Sequence, residues 1–125
     1  MTYKFNLCLE CANFKAAVGY VAHNYPHLFQ PSLQSITLEQ KHQHVSGADG
    51  LHKWYNEKSE ITIRHDYEYG IPHYIKVLVH ELTHLNQYAS GRATSMTKEA
   101  LEEEANAAGE TAMKEYQTVA GHQKT

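Results

Sequence analysis

Val77-Leu78-Val79-His80-Glu81-Leu82-Thr83-His84-Leu85 reads His-Glu-x-x-His inside an apolar run of helical period. On a helix, residues four apart lie one turn apart on the same face. His80 and His84 can therefore point their imidazoles at one ion. Glu81 stands beside the first of them, where its carboxylate can reach a water held by that ion. The pattern predicts zinc, with Glu81 as general base for hydrolysis. Composition alone yields such a motif with a probability of roughly 0.07, because the chain carries ten His and twelve Glu in 125 residues. The surroundings carry the rest of the argument. Ile75, Val77, Leu78, Val79, Leu82 and Leu85 supply buried sides for a helix, Pro72 suits its first turn, and Gly91 stops it. Two imidazoles on a largely buried helix are unfavourable unless partnered, and a metal is one such partner.

The length of 125 residues suits one domain with one core, 1–125. An apolar fraction of 42 % supports a folded chain, yet no apolar run reaches the ~18 residues of a membrane span. The start, Met1-Thr2-Tyr3-Lys4-Phe5-Asn6, lacks the apolar core of a secretory signal, which predicts a cytoplasmic protein. A net charge of −3 argues against a general nucleic-acid binder. Cys8 and Cys11 are too few for a disulfide scaffold.

Residues 9 to 27 have helical composition, ended by Asn24-Tyr25-Pro26. Ile36-Thr37-Leu38-Glu39, Leu51-His52-Lys53-Trp54-Tyr55 and Glu60-Ile61-Thr62-Ile63-Arg64-His65 read as three strands separated by turns at residues 46–50 and 56–59. Strands in sequence joined by short turns predict an antiparallel meander. After the motif helix, Thr97 is a candidate N-cap of a last helix running to about Val119. The expected fold is thus α+β: an N-terminal helix, a small three-stranded largely antiparallel sheet, the motif helix and a C-terminal helix bearing glutamates.

Catalytic zinc usually takes three protein ligands and keeps one position for water. The last helix offers Glu99-Ala100-Leu101-Glu102-Glu103-Glu104-Ala105-Asn106. Glu102 and Asn106 share a face, which suits Glu102 as the third ligand and Asn106 as a hydrogen-bond partner of a ligand histidine. Glu99, Glu103 and Glu104 remain alternatives to Glu102. Ala105 and Ala108 would let this helix approach the motif helix closely. A further donor for a developing oxyanion would come from His65, Tyr67, Tyr69, His73, Tyr74, Tyr88 or Tyr116.

His80-Glu81-x-x-His84 followed by Glu102-x-x-x-Asn106 resembles the gluzincin metallopeptidases. Glu102-Glu103-Glu104-Ala105-Asn106 is similar to the Glu-x-Glu-Ala-Asn segment of the ImmA/IrrE-type phage and stress-response peptidases. The resemblance implies a minimal zincin-like fold and a zinc endopeptidase acting on a protein or peptide. It also implies that the strand Glu60–His65 is a sheet edge that pairs with extended substrate. A catalytically silent binding module with the same motif is a second reading. A third rests on Cys8-x-x-Cys11 followed by His23-x-x-x-His27, whose spacing is close to that of a two-Cys, two-His zinc finger. Only Lys15 would give that finger's helix a basic contact.

Overall fold

The described residues form three helices and four strands. The computed structural model describes residues 4–6, 12–40, 50–56, 58–65 and 70–123. In order they form β1 (Lys4–Asn6), α1 (Ala12–Asn24), a 3₁₀ turn (Pro26–Leu28), β2 (Leu33–Gln40), β3 (Gly50–Tyr55), β4 (Lys58–His65), α2 (Ile71–Ala89), a second 3₁₀ turn (Arg92–Ser95) and α3 (Lys98–Gln123). The helices hold more than twice as many residues as the strands.

The sheet overturns the expected three-stranded, largely antiparallel, zincin-like arrangement. It has four strands in the order β1-β2-β4-β3, with β1–β2 and β2–β4 parallel and only β3–β4 antiparallel. The fold is a helix-dominated α+β mixture. A strand, not a helix, is the first described element, and with α1 it makes a strand–helix–strand unit, the kind of crossover that parallel neighbours require. β2 and β4 are drawn together by apolar residues in register. Ile36 lies opposite Ile61, and Ile36, Ile61 and Ile63 are buried. The meander fails because β4 folds back between β2 and β3. β4 is therefore an interior strand, and the expectation that Glu60–His65 forms the edge is also corrected. The edge beside β4 is β3, which exposes Lys53 and Tyr55 while half-burying His52 and Trp54. A lysine on a solvated face is typical of edge strands. The β3–β4 hairpin itself is as expected. Tyr55 pairs with Lys58, and Asn56 takes the left-handed conformation at φ 47°, which asparagine tolerates in tight turns.

One core joins the elements. Phe14, Ala17 and Val21 line one side of α1 at helical spacing. They pack with Leu33, Ile36, Ile61 and Ile63 of the sheet and with Tyr74, Ile75, Leu78, Leu82 and Leu85 of α2. Gly91, at φ 80°, ends the helical hairpin's first arm. Thr97 caps the second: its hydroxyl oxygen accepts the Ala100 N–H at 3.1 Å. No helix among the described residues is long and apolar enough to cross a membrane.

α2 and α3 lie antiparallel and close. Lys76 meets Glu110 at 3.0 Å, and Ala105 is fully buried. The contact is tightest at Gly109, where an added Cβ would stand 2.6 Å from the Lys76 carbonyl oxygen. Glycine weakens a helix by roughly 1 kcal/mol relative to alanine, so helix propensity alone favours alanine here. Packing reverses the sign. Gly109→Ala is expected to lower stability by about 1–3 kcal/mol, the usual range for overpacking. Chemical denaturation measures this, and a variant as stable as the parent would contradict the close crossing.

Candidate metal centre

The motif begins about two and a half turns into α2 and occupies its second half. Apolar residues around it bury the helix, and the same packing desolvates its polar face. Glu81 is 5 % exposed. The side chains of His80 and His84 are 20 % and 12 % exposed. The two rings stand edge to face, with centroids 4.8 Å apart. Donor atoms of His80, Glu81 and His84 lie within 4.8 Å of one another, a group that can hold a metal ion.

α3 brings a second carboxylate. Glu102 Oε1 lies 2.9 Å from His84 Nε2, and Glu102 Oε2 lies 3.5 Å from His80 Nε2. Glu81 Oε1 is 3.6 Å from His80 Nε2. Bonds of about 2.0–2.1 Å in a tetrahedron place ligand atoms about 3.3 Å apart. The Glu102 oxygens stand 2.9 and 3.5 Å from the two nitrogens, close to that spacing, and imidazole and carboxylate are donors of the kind zinc takes. Glu102 is nearer to both imidazoles together than Glu81 is. It is also half exposed, which leaves the position open to solvent.

Amide side chains meet both imidazoles. Asn106 is a side-chain partner of His80 and acts to raise its pKa. His84 Nδ1 is 2.8 Å from Gln87 Oε1. Gln87 is fully buried, and its Nε2 donates to the Leu101 carbonyl at 3.0 Å and to Glu104 Oε1 at 3.2 Å. Glu104 is in turn bound by both guanidinium nitrogens of Arg92 at 3.0 Å. Glu104 thus belongs to the support of the site. Burial holds His80 below its ordinary pKa, with the neighbouring His84 acting in the same direction. Both effects favour the neutral, ligating form.

β3 closes the other flank. The His52 ring stacks on Tyr88 at 5.3 Å and lies 6.4 Å from that of His84, and Trp54 stacks on Tyr88 at 6.1 Å. His52 Nε2 sits 3.0 Å from Ser59 Oγ. Burial, aided by His84, lowers the His52 pKa to about 4.

Other expected donors lie elsewhere. Tyr74 is fully buried in the core, edge-on to Phe14 at 5.4 Å, where its hydroxyl has no route to a substrate. Tyr116 packs on Tyr20 at 5.0 Å, fourteen residues beyond Glu102 or about 20 Å along α3. His73 is two turns before His80, about 10 Å along α2, with its ring against Tyr74. Tyr69, Tyr67, Cys8 and Cys11 lie outside the described residues. His23 lies in the last turn of α1 and His27 in the following 3₁₀ turn, both exposed. Gln87 and His52 went unread in the sequence. Gln87 is three residues after His84 on the same helical face, a spacing that could have flagged it. His52 alternates with Trp54 in β3, but nothing local places that strand against α2.

Comparison of the chain with family models, curated proteins and solved structures finds no match.

Glu81 is the most perturbed acid of the group. Burial first, and the Glu102 charge second, push its pKa from 4.5 up to about 7. Its folded state therefore holds a proton that the unfolded chain releases near pH 4.5. The resulting stabilisation is present below that pH and is lost as pH rises to about 7. His52 acts in the opposite sense: its folded pKa is depressed, so its contribution is lost as pH falls from 6.5 towards 4. Comparing metal-free Glu81→Gln with the parent isolates the first effect. The variant is expected to gain stability over the parent between pH 4.5 and 7, on the order of 3 kcal/mol. Urea titrations at several pH values measure the gain, and a constant difference would refute the assignment.

Proposed function

We propose that the chain is a zinc-dependent metallopeptidase of gluzincin type, with zinc held by His80, His84 and Glu102. The observation that carries this reading is the Glu102 carboxylate spanning both Nε2 atoms, at 2.9 and 3.5 Å, with buried Glu81 alongside. Two imidazoles and one carboxylate are a donor set of catalytic zinc, which keeps a further position for water. Bound there, the ion would supply Lewis acidity, polarising a carbonyl and lowering the pKa of its water to about 7.

The residues divide the remaining work. Glu81 takes the proton from the attacking water and returns it to the leaving nitrogen, which breaks the C–N bond. A carboxyl whose pKa already lies near neutrality is suited to giving a proton back, and a cation beside it favours the ionised form that first accepts one. Asn106 and Gln87 hold the imidazoles in place. An extended peptide would add to β3, the edge strand beside the site, and its side chains would meet His52, Trp54 and Tyr88. Among the described oxyanion candidates, Tyr88 lies one turn after His84 and is 40 % exposed.

Metal analysis and a peptide-library digest test the proposal together. The protein is expected to carry one zinc per chain, which His80→Ala loses and Cys8→Ala keeps. Glu81→Gln is expected to keep zinc while hydrolysis falls by about a hundred- to ten-thousand-fold. Zinc that depends on Cys8 would overturn the site. Zinc bound as expected, with no hydrolysis of any peptide, would leave a silent metal-binding module instead of a peptidase.

A further inference from the structure

Gln87 is buried at the junction of α2 and α3, and its amide has only one consistent orientation. Its Nε2 faces the Leu101 carbonyl and a Glu104 carboxylate oxygen, both of which can only accept. Its Oε1 must then face His84 Nδ1, 2.8 Å away. Two acceptors cannot bond to each other, so Nδ1 carries the hydrogen. In the neutral ring this leaves the lone pair on Nε2, 2.9 Å from Glu102 Oε1, which is also an acceptor; the half-exposed Glu102 side chain can turn away or take a metal between them, whereas buried Gln87 can do neither. The same amide reaches the Leu101 carbonyl, one residue before Glu102. One buried side chain thus grips both arms of the site: the imidazole from α2 and the backbone that presents the carboxylate from α3. The Arg92–Glu104 pair secures the amide from its far side.

We propose that Gln87 is a positioning residue that fixes His84 in its metal-accepting tautomer and ties the Glu102 segment to α2. The proposal rests on the metal-site reading above, but its geometry can be tested separately. Outer hydrogen-bond partners of ligand histidines typically govern metal affinity by ten- to a hundred-fold. Gln87→Leu keeps an apolar side chain of similar volume and removes all three hydrogen bonds of the amide. Gln87→Glu keeps an acceptor for His84 and, when protonated, a donor for Leu101.

Two measurements decide it. The first is nitrogen NMR of the His84 ring in the metal-free parent protein, at a pH where the ring is neutral. The expected result is the Nδ1–H tautomer; an Nε2–H ring would overturn the proposal whether or not the protein binds metal. The second is zinc affinity by competition with a chromophoric chelator. Gln87→Leu is expected to bind zinc about ten- to a hundred-fold more weakly, with Gln87→Glu recovering most of the loss. Unchanged affinity in Gln87→Leu would overturn the positioning role. If the parent itself binds no zinc, the metal reading fails, and the tautomer measurement still decides what Gln87 does to His84. Circular dichroism of the variants separates a folding defect from an affinity loss.

Discussion

The antiparallel contact of α2 with α3 is the constraint on which the rest of the molecule depends. α2 is buried on most of its surface, yet it carries His80, Glu81, His84 and Gln87. Unpartnered polar groups in such a place would be strongly destabilising. α3 satisfies them in steps along its length: Asn106 on His80, Glu102 on both imidazoles, and the Leu101 carbonyl and Glu104 on Gln87. These contacts need the two backbones close together, which is why the small residues Ala105 and Gly109 stand at the crossing. The polar face and the small-residue face are two requirements of one interface.

The sheet gives the site its second wall. Because β4 lies inside, β3 is left at the edge and runs beside the second half of α2. His52 and Trp54, two residues apart, turn the same way and stack along His84 and Tyr88, four residues apart. Two strand residues span about 6.7 Å and one helical turn about 5.4 Å, so the matching of two periods builds this aromatic wall. An edge strand beside the site offers backbone groups with which an extended chain could pair, which is the basis of the peptide-hydrolase proposal.

How much could be read from the sequence follows the range of each interaction. His80 and His84 sharing a face, Glu102 and Asn106 sharing another, Thr97 as cap and Gly91 as stop are matters of helical period and local turn chemistry, all settled within a few residues. The β3–β4 hairpin was legible for the same reason. The strand order was not, because Ile36 meeting Ile61 is a pairing between distant segments that no window reveals. Three residues of β1 carry no period at all. Gln87 and His52 are the corresponding cases in the site. Each is ordinary in its own segment and acquires its role only when α3 or β3 is laid against α2. Tyr74 shows the converse error: an aromatic near the motif in sequence can belong wholly to the core.

Zinc K-edge X-ray absorption of the zinc-loaded protein tests the central claim most directly, because it identifies the atoms around the ion. The account predicts two imidazole rings and oxygen donors at about 2.0–2.1 Å, with no sulfur. A sulfur shell at about 2.3 Å would contradict it, placing the metal on Cys8 and Cys11 and leaving the α2–α3 groups without the role assigned to them.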